Sequence, residues 1–375
     1  MDDTEALYAN ILSLGDWATW KDSIDQVEDS IQSWMGSTDV SHFRHIILVG
    51  CGSSYYAGQA GKYILEHLVQ RPVGTEQAFS FSHYSTPDLL GEDVLVIGVS
   101  STGNTQATCT ALAYARQHGA ATLSITASPG SRITQIAHKT IWIGGGDDTL
   151  VKTRSYVQSL VALYYLAIEI SGKAGRLEPG RREYWQDQIR LAYEVTRQFL
   201  AEQQTTVLEL VEEYQSAAHI FILGAGPNVG TAEEAALKVI EMAKLYADGC
   251  DMEDFFHGRD RELEDGSKIF FLAPQNPVLE RMLDFLTFTR KVEIPTVVLT
   301  GDEIPQLGRL TSRKLFLQRG LVDLATPLAY ITPLYLFSYH LALKRGFAPN
   351  ARRFPIGALY QQFHGSEYDQ PDVKS

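Results

Sequence analysis

The sequence predicts an α/β fold built from two doubly wound parallel sheets in tandem, and three observations support it. Short apolar strands alternate with segments of helix length, a pattern typical of a parallel sheet. The pattern starts twice, at HIILVGCGSS (45–54) and at HIFILGAGPNVG (219–230). The length of 375 residues suits two domains, since a domain commonly has about 100–200 residues. The repeat is one of architecture, because sequence identity between the halves is weak.

The predicted domain boundaries follow from composition. The segment SGKAGRLEPGRRE (171–183) is rich in Gly, Pro and charge, which makes it the best linker candidate. We therefore expect an N-terminal helical segment, two domains and a C-terminal tail, with bounds of 1–36, 37–175, 176–345 and 346–375.

In the first half, residues 3–35 predict two helical segments. A strand at 45–50 enters a Gly-Ser turn and a helix of about 55–69. The stretch DVLVIGVSSTGNT (93–105) repeats this design, and its helix is expected to end near His118. Two further strands and a long apolar helix are predicted at 121–128, 139–146 and 151–171.

In the second half, a long helical stretch over 182–216 precedes the second start of the pattern. The strand at 219 feeds a glycine turn and a helix of about 231–246. Later strands are predicted at 268–274 and 296–302, and 327–344 is an apolar closing helix.

Composition disfavours several classes of function. A net charge of −13 argues against a nucleic-acid partner, because phosphate backbones are bound by basic surfaces. No apolar run is long enough to span a membrane, and the acidic N-terminus does not resemble a signal peptide. The cysteines Cys51, Cys109 and Cys250 are odd in number and widely spaced, which favours a reducing, cytoplasmic location without disulfides or a metal site.

Hydroxyl side chains follow two neighbouring strands where ligands of such sheets bind. The residues are Ser53 and Ser54 after the first strand, and Ser100, Ser101, Thr102 and Thr105 after the second. Gly52 and Gly103 would let the backbone approach a ligand. Free backbone N–H groups and hydroxyls at two helix starts predict a phosphate site. The alternative is that these residues are ordinary helix N-caps.

The second domain carries the acid–base candidates. Glu234, Lys238 and Glu241 are spaced to share one helix face, and His257 follows in a loop. A carboxylate that moves a proton between carbons and a histidine that opens a sugar ring are what phosphosugar isomerisation requires. The alternative is a solvated charged helix. The turn GAGPNVG lacks an acidic ribose partner, so a nicotinamide cofactor is not expected.

Four blocks, CGSSYYAG, VSSTGNT, EEAALKVIE and DFFHG, resemble the family of sugar isomerase (SIS) domains. Over about residues 40–360, the chain looks like the tandem-SIS isomerase half of glucosamine-6-phosphate synthase and like fructosamine-6-phosphate deglycases. The resemblance implies two SIS-type, flavodoxin-like domains.

The resemblance also assigns roles. Ser54, Ser100, Thr102 and Thr105 match the sugar-phosphate hydroxyls, with Ser53 and Ser101 beside them. Glu241 matches the proton-transferring glutamate, and His257, sixteen residues later, matches the ring-opening histidine. In the family that histidine comes from a neighbouring subunit, which implies a homodimer, or a tetramer, with shared active sites. In VKTRSY (151–156), Thr153 and Arg154 are the counterparts of a further substrate-binding block. Lys238 would position the substrate or tune Glu241. No metal or other cofactor is implied.

Three departures bear on the activity. Met1 is not followed by a cysteine nucleophile or a glutaminase domain, so a complete synthase is not expected. The segment 348–360 has no lysine where synthases form a Schiff base, which resembles a deglycase ending. The proline that usually follows the HG pair is missing.

These features favour an enzyme, a fructosamine-6-phosphate deglycase that releases an amine and an aldose 6-phosphate. A glucosamine-6-phosphate deaminase or an aldose–ketose isomerase could use the same acid and base. A non-catalytic sugar-phosphate sensor is the alternative from another class, because fold alone does not fix function.

Overall fold

The computed structural model describes residues 3–274, 278–301, 303–311, 313–317 and 320–354. The predicted tail (346–375) therefore lies mostly outside the described residues. The described residues of 21–146, 155–179 and 352–375 form one compact unit, here the first unit. Those of 1–20, 147–154 and 180–351 form the second unit. The two units interleave along the chain.

The helices and strands of the first half are α1 (Asp3–Leu12), α2 (Trp17–Met35), β1 (His45–Gly50), α3 (Ser53–Val69), β2 (Val73–Gln77), α4 (Ala78–Tyr84), β3 (Val94–Val99), α5 (Gln106–Gln117), β4 (Ala121–Thr126), α6 (Arg132–Ile136), β5 (Lys139–Trp142) and α7 (Arg154–Lys173). Those of the second half are α8 (Arg181–Glu202), α9 (Gln204–Tyr214), β6 (His219–Gly224), α10 (Pro227–Lys238), β7 (Ala247–Asp251), α11 (Met252–Phe255), β8 (Ser267–Leu272), α12 (Leu279–Lys291), β9 (Thr296–Thr300), α13 (Leu307–Leu310), β10 (Arg313–Phe316) and α14 (Pro327–Lys344). Within the described ranges, no helix is long and apolar enough to cross a membrane.

Each unit contains one five-stranded parallel sheet, and the two sheets have the same topology. The first has the order β2-β1-β3-β4-β5, and the second has the order β7-β6-β8-β9-β10. In both, the second strand lies outside the first and the third lies on its other side. This is the flavodoxin-like order. The predicted fold, two doubly wound α/β domains in tandem, is confirmed.

The central strands are buried on both faces, which explains their continuous apolar sequences. All six residues of β3 are buried, and only the first residue of β1 and of β6 is partly exposed. Helices cover both faces of such sheets, so neither face keeps the polar alternation of a half-exposed strand. In the second unit, Phe255, Phe271 and Phe285 belong to one core cluster.

Three strands were not predicted from the sequence, and all three lie at sheet edges. They are β2 (VGTEQ), β7 (ADGCD) and β10 (RKLF). An edge strand needs no apolar run because one side and part of its surface meet solvent. The helices α4, α6, α11, α12 and α13 were not predicted either. The other errors concern boundaries. The helix expected over 231–246 spans 227–238, the one expected over 151–171 begins at Arg154, and 182–216 contains two helices.

Gly249 brings β7 against the backbone of α10, the helix that leads to Glu241. A Cβ atom at Gly249 would lie 2.3 Å from the carbonyl oxygen of Ala232 and 2.4 Å from its carbonyl carbon. These atoms belong to a helix backbone and cannot move aside as a flexible side chain can. Only glycine lets this strand and helix approach so closely.

We predict that Gly249→Ala destabilises the second unit by about 1–3 kcal/mol or more, the cost of overpacking a close contact. A shift of the thermal-unfolding midpoint measures it. Gly308→Ala is the matched control, because no atom lies within 4 Å of its added Cβ. Equal midpoints for the two variants would contradict the predicted close contact.

Candidate active site

In the first unit, the two hydroxyl-rich turns lie at the same edge of the sheet. β1 and β3 are paired neighbours, with Val49 beside Gly98, and both end at this edge. The structure starts α3 at Ser53, so Ser53 and Ser54 lie in its first turn, and the backbone N of Ser54 donates to the carbonyl of Cys51 at 3.2 Å. Gly52 has a φ of 52°, a backbone conformation that favours glycine.

The loop between β3 and α5 is folded around the hydroxyl of Ser100. This side chain is 2% exposed. Its Oγ lies 3.0 Å from Oγ1 of Thr105 and accepts a hydrogen bond of 3.1 Å from the backbone N of Gly103. The backbone N of Asn104 donates to Oγ1 of Thr102 at 3.4 Å. Ser100, Thr102 and Thr105 are therefore brought together in one compact loop, as the sequence predicts.

Residues at the end of β4 hold this loop through hydrogen bonds, which was not predicted from the sequence. The carbonyl of Ser101 accepts hydrogen bonds from Thr126 Oγ1 at 3.1 Å, Ser128 Oγ at 3.2 Å and Ala127 N at 3.1 Å. A Cβ atom on Gly103, whose φ is 66°, would lie 1.9 Å from Ser131 Oγ. The hydroxyls in ATLSITAS (121–128) are the signal that could have predicted this support.

The glycine turn of the second unit has nearly the same backbone conformation as the turn after β1, but different side chains follow it. Gly226 has φ 55° and ψ −125°, close to the φ 52° and ψ −130° of Gly52. The next residue, Pro227, has no N–H to offer an anion. Asn228 is fully buried, and its Nδ2 donates to Thr326 Oγ1 at 2.8 Å. This turn therefore serves packing where the first turn presents hydroxyls.

The acid–base candidates of α10 and of the turn that follows it form one ionic network. The Nζ atom of Lys238 lies 2.5 Å from Oε2 of Glu241 and 3.5 Å from Oε1 of Glu234. Glu234 and Lys238 are 0% and 1% exposed. The hydroxyl of Tyr335, on α14, donates to Oε1 of Glu234 at 2.9 Å. Glu241 remains about one third exposed, so the network joins a buried interior to an accessible carboxylate.

Lys238 stays charged despite its burial. Burial by itself lowers the pKa of a lysine, because the ammonium loses its hydration. Here the nearby carboxylates of Glu234 and Glu241 outweigh burial and raise the pKa of Lys238 above its usual value. The role expected for Lys238 beside Glu241 is compatible with this contact, although almost none of its side chain is accessible.

A π-helical turn presents the carboxylate of Glu241. The helix widens over Val239–Ala243, and Lys244 then closes it with a φ of 52°. The Nζ atom of Lys244 donates to the backbone carbonyl of Glu241. Val239 and Met242 point into the core, whereas Glu241 lies at its border. Single π turns occur frequently at functional sites, and the sequence pattern of a regular helix gave no sign of this one.

His257 belongs to a second network. It follows α11, its side chain is 70% exposed, and its Nε2 lies 3.2 Å from Oε1 of Glu253. Glu253 also accepts two hydrogen bonds of 2.8 Å from Arg281. The described contacts thus join Glu241 to Lys238, and His257 to Glu253. Arg259 stands where the usual proline is missing, and it pairs with Asp248 at 2.6 Å and with Asp254 at 3.1 Å.

Thr153 and Arg154 are both hydrogen-bonded to the carboxylate of Asp147. Thr153 is fully buried, and its Oγ1 donates to Oδ1 of Asp147 at 3.3 Å. The backbone N atoms of Thr153 and Arg154 donate to the same carboxylate at 3.2 and 3.0 Å. Asp147 therefore accepts from N–H groups at the start of α7, and the sequence analysis had not singled it out. The predicted substrate contact of Thr153 remains a prediction.

The comparisons with known proteins agree with this arrangement of two units. The family model of the SIS domain matches residues 40–169 and again 213–345. The chain therefore belongs to the family of SIS-domain proteins, and it contains the domain twice.

One relative is the glutamine–fructose-6-phosphate aminotransferase (isomerizing) of Thermococcus kodakarensis. It is 29% identical over 334 residues, which cover 89% of this chain and 54% of the relative. The chain thus spans about half the length of the curated relatives it matches.

Two solved structures show the same fold. The C-terminal domain of the glucosamine-fructose-6-phosphate aminotransferase from Francisella tularensis has a TM-score of 0.83 at 20% identity, with 92% of this chain and 98% of that chain covered. The glucosamine-6-phosphate deaminase from Thermotoga maritima has a TM-score of 0.69 at 19% identity, with 92% and 96% covered.

We predict that Lys238→Met lowers the free energy of unfolding by about 3–5 kcal/mol, because it leaves the buried carboxylate of Glu234 without its cation. Denaturant titration measures the change. Adding Glu234→Gln to Lys238→Met should recover part of the loss, since the buried negative charge is then removed.

Lys344→Met is the matched control in the same unit. Its partner Glu212 is 59% exposed, and an exposed pair contributes only about 0–1 kcal/mol. A Lys238→Met protein as stable as this control would show that Glu234 does not need the charge of Lys238 to be stable in the interior.

Proposed function

We propose that this chain is an enzyme that processes a phosphorylated sugar, and more narrowly a fructosamine-6-phosphate deglycase. The main support for this proposal is the carboxylate of Glu241, which the buried Lys238 holds at the border of the core. A carboxylate so fixed is suited to move a proton between adjacent carbons. The hydroxyl-rich loops of the first unit supply a second, independent feature, a site for a phosphate group.

The 6-phosphate of the substrate would bind at the first-unit turns. Ser54, Ser100, Thr102 and Thr105 would donate hydroxyl hydrogens, and Ser53 and Ser101 would add backbone N–H groups. The backbone of Gly52 and Gly103 would come close to the ligand. The N-terminus of α3 favours an anion electrostatically, which offsets the acidic charge of the whole chain.

His257 would first help to open the sugar ring. Glu241 would then take a proton from C1, forming the enaminol, and return a proton to C2. As C1 becomes doubly bonded to nitrogen, the proton on nitrogen leaves, and the former carbonyl oxygen at C2 takes up a proton through water and becomes a hydroxyl. Water adds across that double bond, the C1–N bond breaks, and the products are the free amine and an aldose 6-phosphate. The steps are proton transfers and a hydrolysis.

The exposure of His257 supports a shared active site. The imidazole is 70% exposed, so it is accessible to a neighbouring subunit, as the family resemblance implies. We therefore propose that the enzyme works as a homodimer or a tetramer whose subunits complete each other's sites. A sensor protein would need the phosphate site but not the network of Glu241, which is why we favour an enzyme.

We predict that Glu241→Gln abolishes turnover and spares phosphosugar binding, because the amide cannot accept the proton. The assay follows glucose 6-phosphate release from fructoselysine 6-phosphate and from a fructose–α-amino-acid 6-phosphate. Glucosamine 6-phosphate is included, with fructose 6-phosphate as its product. The exposed Glu202→Gln serves as the control.

Release from an adduct that is lost in Glu241→Gln supports the deglycase. Turnover of glucosamine 6-phosphate alone would replace it with a deaminase. Tight phosphosugar binding without any turnover would favour a sensor, and normal turnover by Glu241→Gln would refute the assignment of the base.

We also predict that Ser100→Ala combined with Thr105→Ala raises the Kd of the phosphosugar about 10- to 100-fold, since a hydrogen bond to a charged group contributes about 1.5–3 kcal/mol. Calorimetric titration measures the affinity, and the unphosphorylated sugar should show no comparable change. Thr110→Ala is the control, because Thr110 is exposed on α5, the helix that follows Thr105. Unchanged affinity in the double variant would place the phosphate elsewhere.

A further inference from the structure

We infer that Glu253, held by Arg281, is a positioning residue for His257 and leaves the Nδ1 atom of the imidazole as the one that meets the sugar. The inference rests on the proposed function, in which His257 helps to open the ring.

The backbone of Glu253 is fixed at the end of a strand. β7 ends at Asp251, whose side chain accepts hydrogen bonds from the backbone N of Glu253 at 2.8 Å and of Asp254 at 3.3 Å. This N-cap starts α11 directly from the sheet. Glu253 and His257 are four residues apart. Because the N-cap fixes the first turn of α11, the carboxylate of Glu253 faces the imidazole of His257.

The carboxylate of Glu253 is fixed by a planar partner. Arg281 donates from Nε to Oε2 and from Nη2 to Oε1, both at 2.8 Å. Such paired hydrogen bonds set orientation as well as distance. The guanidinium also lies 4.4 Å from the ring centre of Phe285, a buried residue of the core. Arg281 is therefore held by two different contacts.

The same core ring steadies the loop that carries His257. Phe256, the residue before the histidine, stacks on Phe285 with ring centres 3.9 Å apart and an interplanar angle of 10°. The backbone N of His257 donates to the carbonyl of Asp254 at 3.1 Å. The histidine is exposed, but its support is anchored in the core.

The charge of Glu253 decides which nitrogen of His257 carries the hydrogen. The hydrogen bonds from Arg281 lower the pKa of Glu253 to about 2, with a smaller contribution from His257. The carboxylate is therefore ionised near neutral pH and can only accept hydrogen bonds. Since Nε2 faces this acceptor at 3.2 Å, Nε2 must be the donor, and Nδ1 is left for the substrate.

This assignment gives a balanced ring-opening step. In the imidazolium form, Nδ1–H donates its proton to the ring oxygen as the C2–O5 bond breaks. The electron pair of the C2 hydroxyl forms the carbonyl, and the released hydroxyl proton returns to Nδ1 through water. No proton is gained or lost, and the Nε2–H bond to Glu253 persists throughout.

The test compares a ring-forming substrate with one that cannot close. A fructosamine 6-phosphate forms its ring through O5, so its 5-deoxy analogue remains open. The variants are Glu253→Ala and Arg281→Met, with His257→Ala as the reference. Glu280→Ala is the matched control, because it removes an exposed carboxylate of α12 beside Arg281.

We expect Glu253→Ala and Arg281→Met to lower kcat/KM about tenfold or more on the ring-forming substrate and less than about twofold on the open analogue, because only ring opening uses His257. Nitrogen-15 NMR of labelled histidine should show His257 protonated at Nε2 in the wild type. The Glu253→Ala protein should show a mixture of the two tautomers.

Equal losses on both substrates would mean a merely structural role and would overturn the inference, as would Glu253→Ala with wild-type rates. An Nδ1-protonated His257 in the wild type would overturn it independently of activity. A harmless His257→Ala would instead refute the ring-opening role in the proposed function, and this inference with it.

Discussion

The second unit is organised around one electrostatic requirement: the ammonium group of Lys238 is buried and must be neutralised. An isolated charge in the interior would cost several kcal/mol, so carboxylates must lie within reach. Glu234 supplies one from the same helix, and Tyr335 holds that carboxylate from α14. Glu241 supplies the other at the border of the core. The rigid placement of the proposed base therefore follows from the charge balance of the interior.

The two units use one topology for different purposes. Both place a glycine with φ near 50° after the first strand of the sheet, so both backbones turn in the same way into a helix. The side chains that follow determine the outcome. Serines with hydroxyl side chains follow the turn of the first unit, whereas Pro227 and the buried Asn228 commit the second turn to packing. A duplicated fold can in this way separate substrate binding from proton transfer.

The sequence predicts the features that depend on local composition. The buried strands, the two hydroxyl turns and the shared helix face of Glu234, Lys238 and Glu241 follow from apolar runs and residue spacing. The edge strand β7 could not be predicted in this way, because ADGCD has no apolar run and pairs through its backbone. The π turn at Glu241 and the contact of Glu253 with Arg281 were also missed. Both depend on packing between segments distant in the sequence.

Ion pairs hold the loop that carries His257, in which the family resemblance leads us to expect a proline. Arg259 joins it to Asp248 and Asp254, and Arg281 joins it to Glu253, with all of these side chains at least partly exposed. A proline ring restricts the backbone equally at any ionic strength, whereas the attraction between exposed charges weakens as salt is added, because the screening length shortens from about 8 Å at physiological salt. The orientation of this histidine is therefore coupled to the ionic composition of its surroundings.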